Sequence, residues 1–204
     1  SGAGSDGFAS SNQPAGCSEG SSRSTIWLRV LSAASDREYG SVTALISTLT
    51  YRDAETAAHC ARVADLCVML GRKHMSPREV YVLEVAALLH DVGKTRIDPA
   101  ILKAERQLTD DEFKSMQRHT ILGHDILERC RFAESDIKKV ALQHHEKMDG
   151  SGYPNGSVHI SRMAQIVAII DCYEALTNDD RPYRSASEPL KALTIIKDDV
   201  EAGK

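Results

Sequence analysis

Two apolar stretches of the chain each carry an acid where burial should forbid one. Asp171 follows Ile166-Val167-Ala168-Ile169-Ile170 and precedes Cys172, Tyr173, Ala175 and Leu176, while His90-Asp91 closes another apolar run over 80–90. A lone carboxylate in such surroundings is costly unless it is paired or coordinated. Two acids delivered to the interior suggest one shared cationic partner, and a metal ion would satisfy both. The remaining histidines supply further donors. Glu55 and His59 stand four apart and project from one helical face. His144 and His145 are adjacent at a helix end, about 100° apart around the axis, so the two imidazoles can face two different ions. His119 shares a face with Met116 and with Gly123, whose missing side chain lets another element approach. The set Glu55, His59, His90, Asp91, His119, His144, His145 and Asp171 offers nitrogen and oxygen and no sulfur. It exceeds what a four-coordinate zinc needs and suits two ions, or three with Glu55, of octahedral preference such as iron or manganese. Taken singly, each of these residues is more often an ordinary helical side chain; their weight lies in the combination. His74, His124 and His159 fall outside the pattern and read as structural or surface residues.

The elements that must position these donors are helical almost throughout. Residues 1–24 hold eight serines and five glycines and almost nothing to bury, which reads as a flexible tail or linker. Residues 25–50 form an N-terminal helical segment in which Val42, Leu45, Ile46 and Leu49 recur at helical spacing. It is expected to pack on the core, with pairing to a second copy of the chain as the alternative. The main domain spans 51–204. A helix begins near Asp53; Ser76-Pro77 caps and starts the next, over 80–90, which is apolar nearly all round and therefore central, and Gly93 ends it. Thr109 and Glu112 form a capping box opening a helix through about 129. Further helices are expected over 134–145, 163–176 and 189–197. The glycine-rich stretch 149–156 can only be a loop. No segment alternates convincingly as a strand, so the fold class is all-α.

Composition bounds the function from outside. The 204 residues carry 25 Lys and Arg against 29 Asp and Glu, a net charge of −4, which argues against a partner made of nucleic acid polymer or a polybasic membrane contact. No apolar run approaches the roughly 18 residues of a membrane span. Aromatics at 5% disfavour an all-β sandwich. The five cysteines are odd in number, scattered and without a CxxC pair, so neither a disulfide framework nor a thiolate zinc site is expected, and a reducing cytoplasm fits best. Cys60 and Cys172, inside apolar helical patterns, read as small buried hydrophobes.

Three motifs carry a resemblance. His90-Asp91-Val92-Gly93-Lys94, the run from His144-His145-Glu146 to Gly152-Tyr153-Pro154, and Asp171-x-Tyr173-x-Ala175-Leu176-Thr177 with Arg181-Pro182-Tyr183-Arg184 resemble the HD-GYP domain, a branch of the HD phosphohydrolases known for hydrolysing cyclic di-GMP. The match covers roughly 51–197. The resemblance implies a single HD-type domain with His59, His90, Asp91 and Asp171 around one metal ion. Asp91 would bridge to a second held by His119, His144 and His145, and Glu55 would support a third. It implies a metal-dependent phosphodiesterase that opens cyclic di-GMP to linear pGpG through a metal-bridging hydroxide, with further cleavage to GMP left open. Asp91 and Lys94 would be catalytic, and Lys94, Tyr153, Arg181 and Arg184 would contact substrate. Thr177 and Arg181 stand one residue further apart than is usual in the family, which loosens the two arginine assignments. The alternatives are another guanine nucleotide, such as cyclic GMP-AMP, or a module that binds cyclic di-GMP or docks a protein without turnover. Diguanylate cyclase domains and an upstream sensor or receiver domain are the partners the resemblance suggests. Members usually continue past the position of Lys204 into a further helix. Glu146 and Asp149 are candidate acceptors for orienting the imidazoles, with a solvated surface carboxylate the alternative reading for either.

Overall fold

The computed structural model describes residues 36–178 and 187–204. Among them it is helical without strands, as the patterning predicts. The order is α1 (Asp36–Arg52), α2 (Ala54–Gly71), α3 (Pro77–Leu89), a 3-10 turn (Val92–Arg96), α4 (Pro99–Leu102), α5 (Asp110–Gln117), α6 (His119–Glu128), α7 (Ser135–Gln143), α8 (Arg162–Thr177) and α9 (Pro189–Glu201). None of these helices is long and apolar enough to cross a membrane.

α3 is the axis. Ser76 accepts from the Glu79 amide while the Glu79 carboxylate accepts from that of Ser76, so the capping box starts the helix where the sequence places it. Every residue over 81–89 is buried, because α1, α2, α7 and α8 all pack around it. Leu83 and Leu89 are fully enclosed, each contributing on the order of 1.5–3 kcal/mol. Val42 and Ile46 of α1 join the same core, so this part of the N-terminal segment packs inward. α9 lies on α8 through Ala192, which is fully buried. Cys60 is buried, whereas Cys172 is only half-buried.

Two boundaries differ from expectation, and both shape the site. The α-helical run ends at Leu89, and the chain continues as a 3-10 turn through Gly93. With three residues per turn, positions three apart fall in register, which lines Lys94 up with Asp91. The predicted long helix over 109–129 breaks at Arg118. There the His119 ring bonds the Met116 carbonyl at 2.7 Å, and the Thr120 hydroxyl bonds that of Gln117 at 3.0 Å. These side chains take carbonyls that a continuous helix would give to its own amides.

Candidate metal centre

Gly93 determines how the 3-10 turn meets α6. A Cβ there would lie 1.9 Å from the His119 carbonyl oxygen and 2.5 Å from the Gly123 amide nitrogen. The 3-10 turn therefore rests on the backbone of α6, and Asp91 comes to stand against His119. On the other side, α2 and α8 bring His59 to Asp171, His59 Nε2 lying 2.9 Å from Asp171 Oδ1.

The donors gather into two triplets, His59 with His90 and Asp91, and His119 with His144 and His145, the ligand atoms in each lying within 4.8 Å of one another. Asp91 stands between them. Its Oδ1 is 3.2 Å from His119 Nε2 and 3.8 Å from His144 Nε2, and its Oδ2 is 3.5 Å from His90 Nε2 and 2.6 Å from Lys94 Nζ.

Three imidazoles are oriented by backbone carbonyls. Nδ1 of His90 faces Ala87 O at 2.7 Å, that of His119 faces Met116 O at 2.7 Å, and that of His144 faces Val140 O at 3.0 Å. A carbonyl only accepts, so each Nδ1 carries a proton, and in the neutral rings of His119 and His144 each Nε2 presents a lone pair. His119 and His144 then aim two lone pairs at each other across 3.3 Å, with the Asp91 carboxylate beside them. Such an arrangement repels itself unless a cation lies between. Among the described residues, His90 Nε2 and Asp91 Oδ1 are two of three buried side-chain atoms without a hydrogen-bond partner. Cis donors about 2.1 Å from an octahedral ion stand roughly 3.0 Å apart. The observed spacings fall near that value, so the residues fit divalent metal.

Protonation agrees on one side of the site and identifies a competitor on the other. Burial lowers His119 and His144 and takes His145 down to about 4, so this triplet is neutral and ready to ligate at pH 7. Burial opposes ionisation of Asp91 as well, but Lys94 and the nearby histidines hold its carboxyl well below the usual range. His59 goes the other way. Burial disfavours its charge, yet hydrogen bonds to Asp171 and Glu174 outweigh that and raise it to about 9, and His90, where Cys60, Asp91 and Asp171 outweigh burial, is likewise raised to about 9. Below that pH the metal-free chain keeps a proton on His59 that an ion must displace. Apparent Mn²⁺ affinity of the His59 triplet is therefore expected to rise about tenfold per pH unit, for each proton displaced, between pH 6 and 9. The His119 triplet should show no such slope. Calorimetric titrations at several pH values check this, and two steps of equal slope would contradict it.

Not every expected residue reaches the cluster. Glu55 is exposed in the first turn of α2, where a solvated carboxylate offsets the unpaired amides, and it joins neither triplet; a third ion there rests on the resemblance alone. Arg181 and Arg184 lie outside the described residues. Lys94 is three-quarters buried with its ammonium on Asp91. The Tyr153 ring lies 4.7 Å from that of His145, and its amide donates to the His145 carbonyl at 3.1 Å. Burial, with the charges of Asp91 and Asp171, raises its phenol, so it stays a donor.

The orienting acceptors are corrected. Glu146 is buried but accepts from the Asn155 and Ser157 amides at 2.8 and 2.9 Å, clamping the loop, and Asp149 accepts from the Ser151 amide at 2.8 Å. Neither holds an imidazole. The carboxylate that does, Glu174 at 2.5 Å from His59 Nδ1, was not among the residues singled out. Its signal was its place three residues after Asp171, on the same face of α8.

The HD domain family model matches residues 43–202. The chain belongs to the HD domain family. The cyclic di-GMP phosphodiesterase response regulator RpfG of Xanthomonas campestris is 36% identical over 79% of this HD domain chain and 43% of that protein. A cyclic di-GMP phosphodiesterase of Thermotoga maritima is 40% identical over 72% of the chain and 41% of its own length. A 3'3'-cGAMP-specific phosphodiesterase 3 of Vibrio cholerae is 35% identical over 78% and 35% respectively. The chain thus spans less than half the length of these relatives. A solved structure, that of Bd1817, a HDG"Y"P protein from Bdellovibrio bacteriovorus, covers 90% of this chain and 66% of that one with a TM-score of 0.61. At 15% identity that likeness is one of fold.

Proposed function

We propose that this HD-GYP domain is a phosphodiesterase that opens cyclic di-GMP to linear pGpG with the help of two divalent ions, iron or manganese. The observation that carries the reading is the set of inward-facing, unsatisfied donors around Asp91, in a chain whose relatives are named cyclic dinucleotide phosphodiesterases. One ion would be held by His59, His90, Asp91 and Asp171, the other by His119, His144, His145 and the second oxygen of Asp91. Such ions supply Lewis-acid stabilisation of phosphoryl oxygens and an activated water at neutral pH.

The chain's own groups do the rest. Lys94, its ammonium fixed on Asp91 and its side chain about a quarter exposed, is placed to meet a non-bridging phosphate oxygen and stabilise its growing charge. Tyr153, protonated and held over His145, offers a hydrogen bond on the substrate side. Its placement depends on Gly152, where a Cβ would lie 2.4 Å from the Lys147 nitrogen and 2.5 Å from the His145 carbonyl oxygen. Gly152→Ala is expected to push the loop outward and lower kcat/KM by about a hundredfold, the scale of a one-ångström misplacement. Metal content measured on the same protein should change far less. A loss of metal in proportion to activity would contradict the assignment of the loop to substrate.

Chromatographic analysis of products after incubation with cyclic di-GMP and Mn²⁺ or Fe²⁺ tests the reaction. Formation of pGpG is expected, and any GMP is read in the same trace. The second substrate reading, 3'3'-cGAMP, is favoured by the names of the Vibrio relatives and is assayed in parallel. Tight nucleotide binding without product from either would leave a binding module in place of an enzyme.

A further inference from the structure

His59 differs from the other oriented histidines in what holds it. Backbone carbonyls fix His90, His119 and His144, but His59 Nδ1 faces a side chain, Glu174 Oε2, at 2.5 Å. Glu174 is itself buried in α8, one turn after Asp171, and its other oxygen accepts from Arg62 Nε, on the helix that carries His59. We propose that Glu174 is a positioning residue that sets the tautomer and ring orientation of His59, with Arg62 fixing which carboxylate oxygen does so. The inference rests on the metal-binding reading above.

The chemistry is directional. A carboxylate only accepts, so Nδ1 must donate to Glu174. Without metal Nε2 carries a proton to Asp171 Oδ1 as well, and it is that proton an ion displaces, freeing the Nε2 lone pair beside Asp171 while Nδ1 keeps its own. Arg62 makes glutamine an informative replacement. Its guanidinium claims the amide oxygen, so the amide NH2 turns towards His59. Nδ1 then has to accept, the single ring proton is held on Nε2 against Asp171 Oδ1, and the lone pair that would ligate is not available. A merely structural role for Glu174 does not involve this inversion, since glutamine preserves the size and both hydrogen bonds.

The test uses Mn²⁺ titration of the full chain by calorimetry, with His59→Ala marking the binding step that depends on that imidazole. Glu174→Gln is expected to weaken that same step by about 10–100-fold and to leave the other unchanged. Glu174→Asp keeps the charge beside Arg62 but withdraws it by one methylene, and a smaller loss at the same step is expected. Wild-type affinity in both variants overturns the proposal, as does a weakening confined to the step that His59→Ala leaves intact. Unfolding of both variants by circular dichroism also overturns it, because the role is then structural. A wild-type chain with a single Mn²⁺ step contradicts the two-ion reading but not this one, which is read on that step. No uptake at all contradicts both.

Discussion

Asp91→Asn is expected to lower turnover of cyclic di-GMP by at least about a thousandfold and to remove metal from the purified chain. The size follows from what the residue joins. Its two oxygens face opposite triplets, Oδ1 towards His119 and His144 and Oδ2 towards His90 and Lys94. Asparagine keeps the shape but offers one acceptor and no charge, so the His119 half loses its one anionic ligand, the His59 half keeps only Asp171, and Lys94 loses its anchor. Lewis-acid stabilisation contributes several kcal/mol to such reactions, and about 4 kcal/mol corresponds to three orders of magnitude in rate. Metal analysis and product chromatography on the same preparation check both parts. Retained metal with retained turnover would show that Asp91 does not lie at the centre of the site.

Gly93→Ala should be nearly as damaging, by a different route. The new methyl group would enter the space of the His119 carbonyl, and neither backbone can yield without moving the 3-10 turn off α6. Overpacking of this kind costs roughly 3 kcal/mol, read as a lower denaturant midpoint. Because the same contact sets Asp91 against His119, metal affinity should fall along with stability. Gly123→Ala is the control. Its Cβ would meet Gly93 N at 3.3 Å, a tight contact that a few tenths of an ångström relieve, so a smaller shift is expected. Equal midpoints for wild type and Gly93→Ala would mean that the turn can leave α6 freely.

The parts legible in the sequence were those whose signal is local. The runs over 80–90 and 163–176 announced buried helices because no polar face interrupts them for long; Ser76 announced a start as a cap followed by Pro77, and Thr109 because its capping box uses residues three apart. The acids at 91 and 171 stood out because burial makes a carboxylate expensive. What stayed hidden depends on partners distant in the chain. Glu174 looked like one more residue of a motif until α2 brought His59 and Arg62 to it, 115 and 112 residues away in sequence. Glu146 lies directly after His144 and His145, yet its carboxylate turns to the loop amides at 155 and 157, a choice set by how the loop folds back. The break at Arg118 was invisible because nothing in helix propensity reports that His119 and Thr120 would bond carbonyls of the preceding turn.

The proposed hydrolysis depends on metal held by the Asp91 cluster. The most direct test purifies the chain anaerobically, counts bound metal, strips it with a chelator and follows pGpG formation before stripping, after it and after adding Mn²⁺ or Fe²⁺. About two equivalents of metal, loss of turnover on stripping and recovery on addition are expected. Turnover that survives complete metal removal would contradict that dependence.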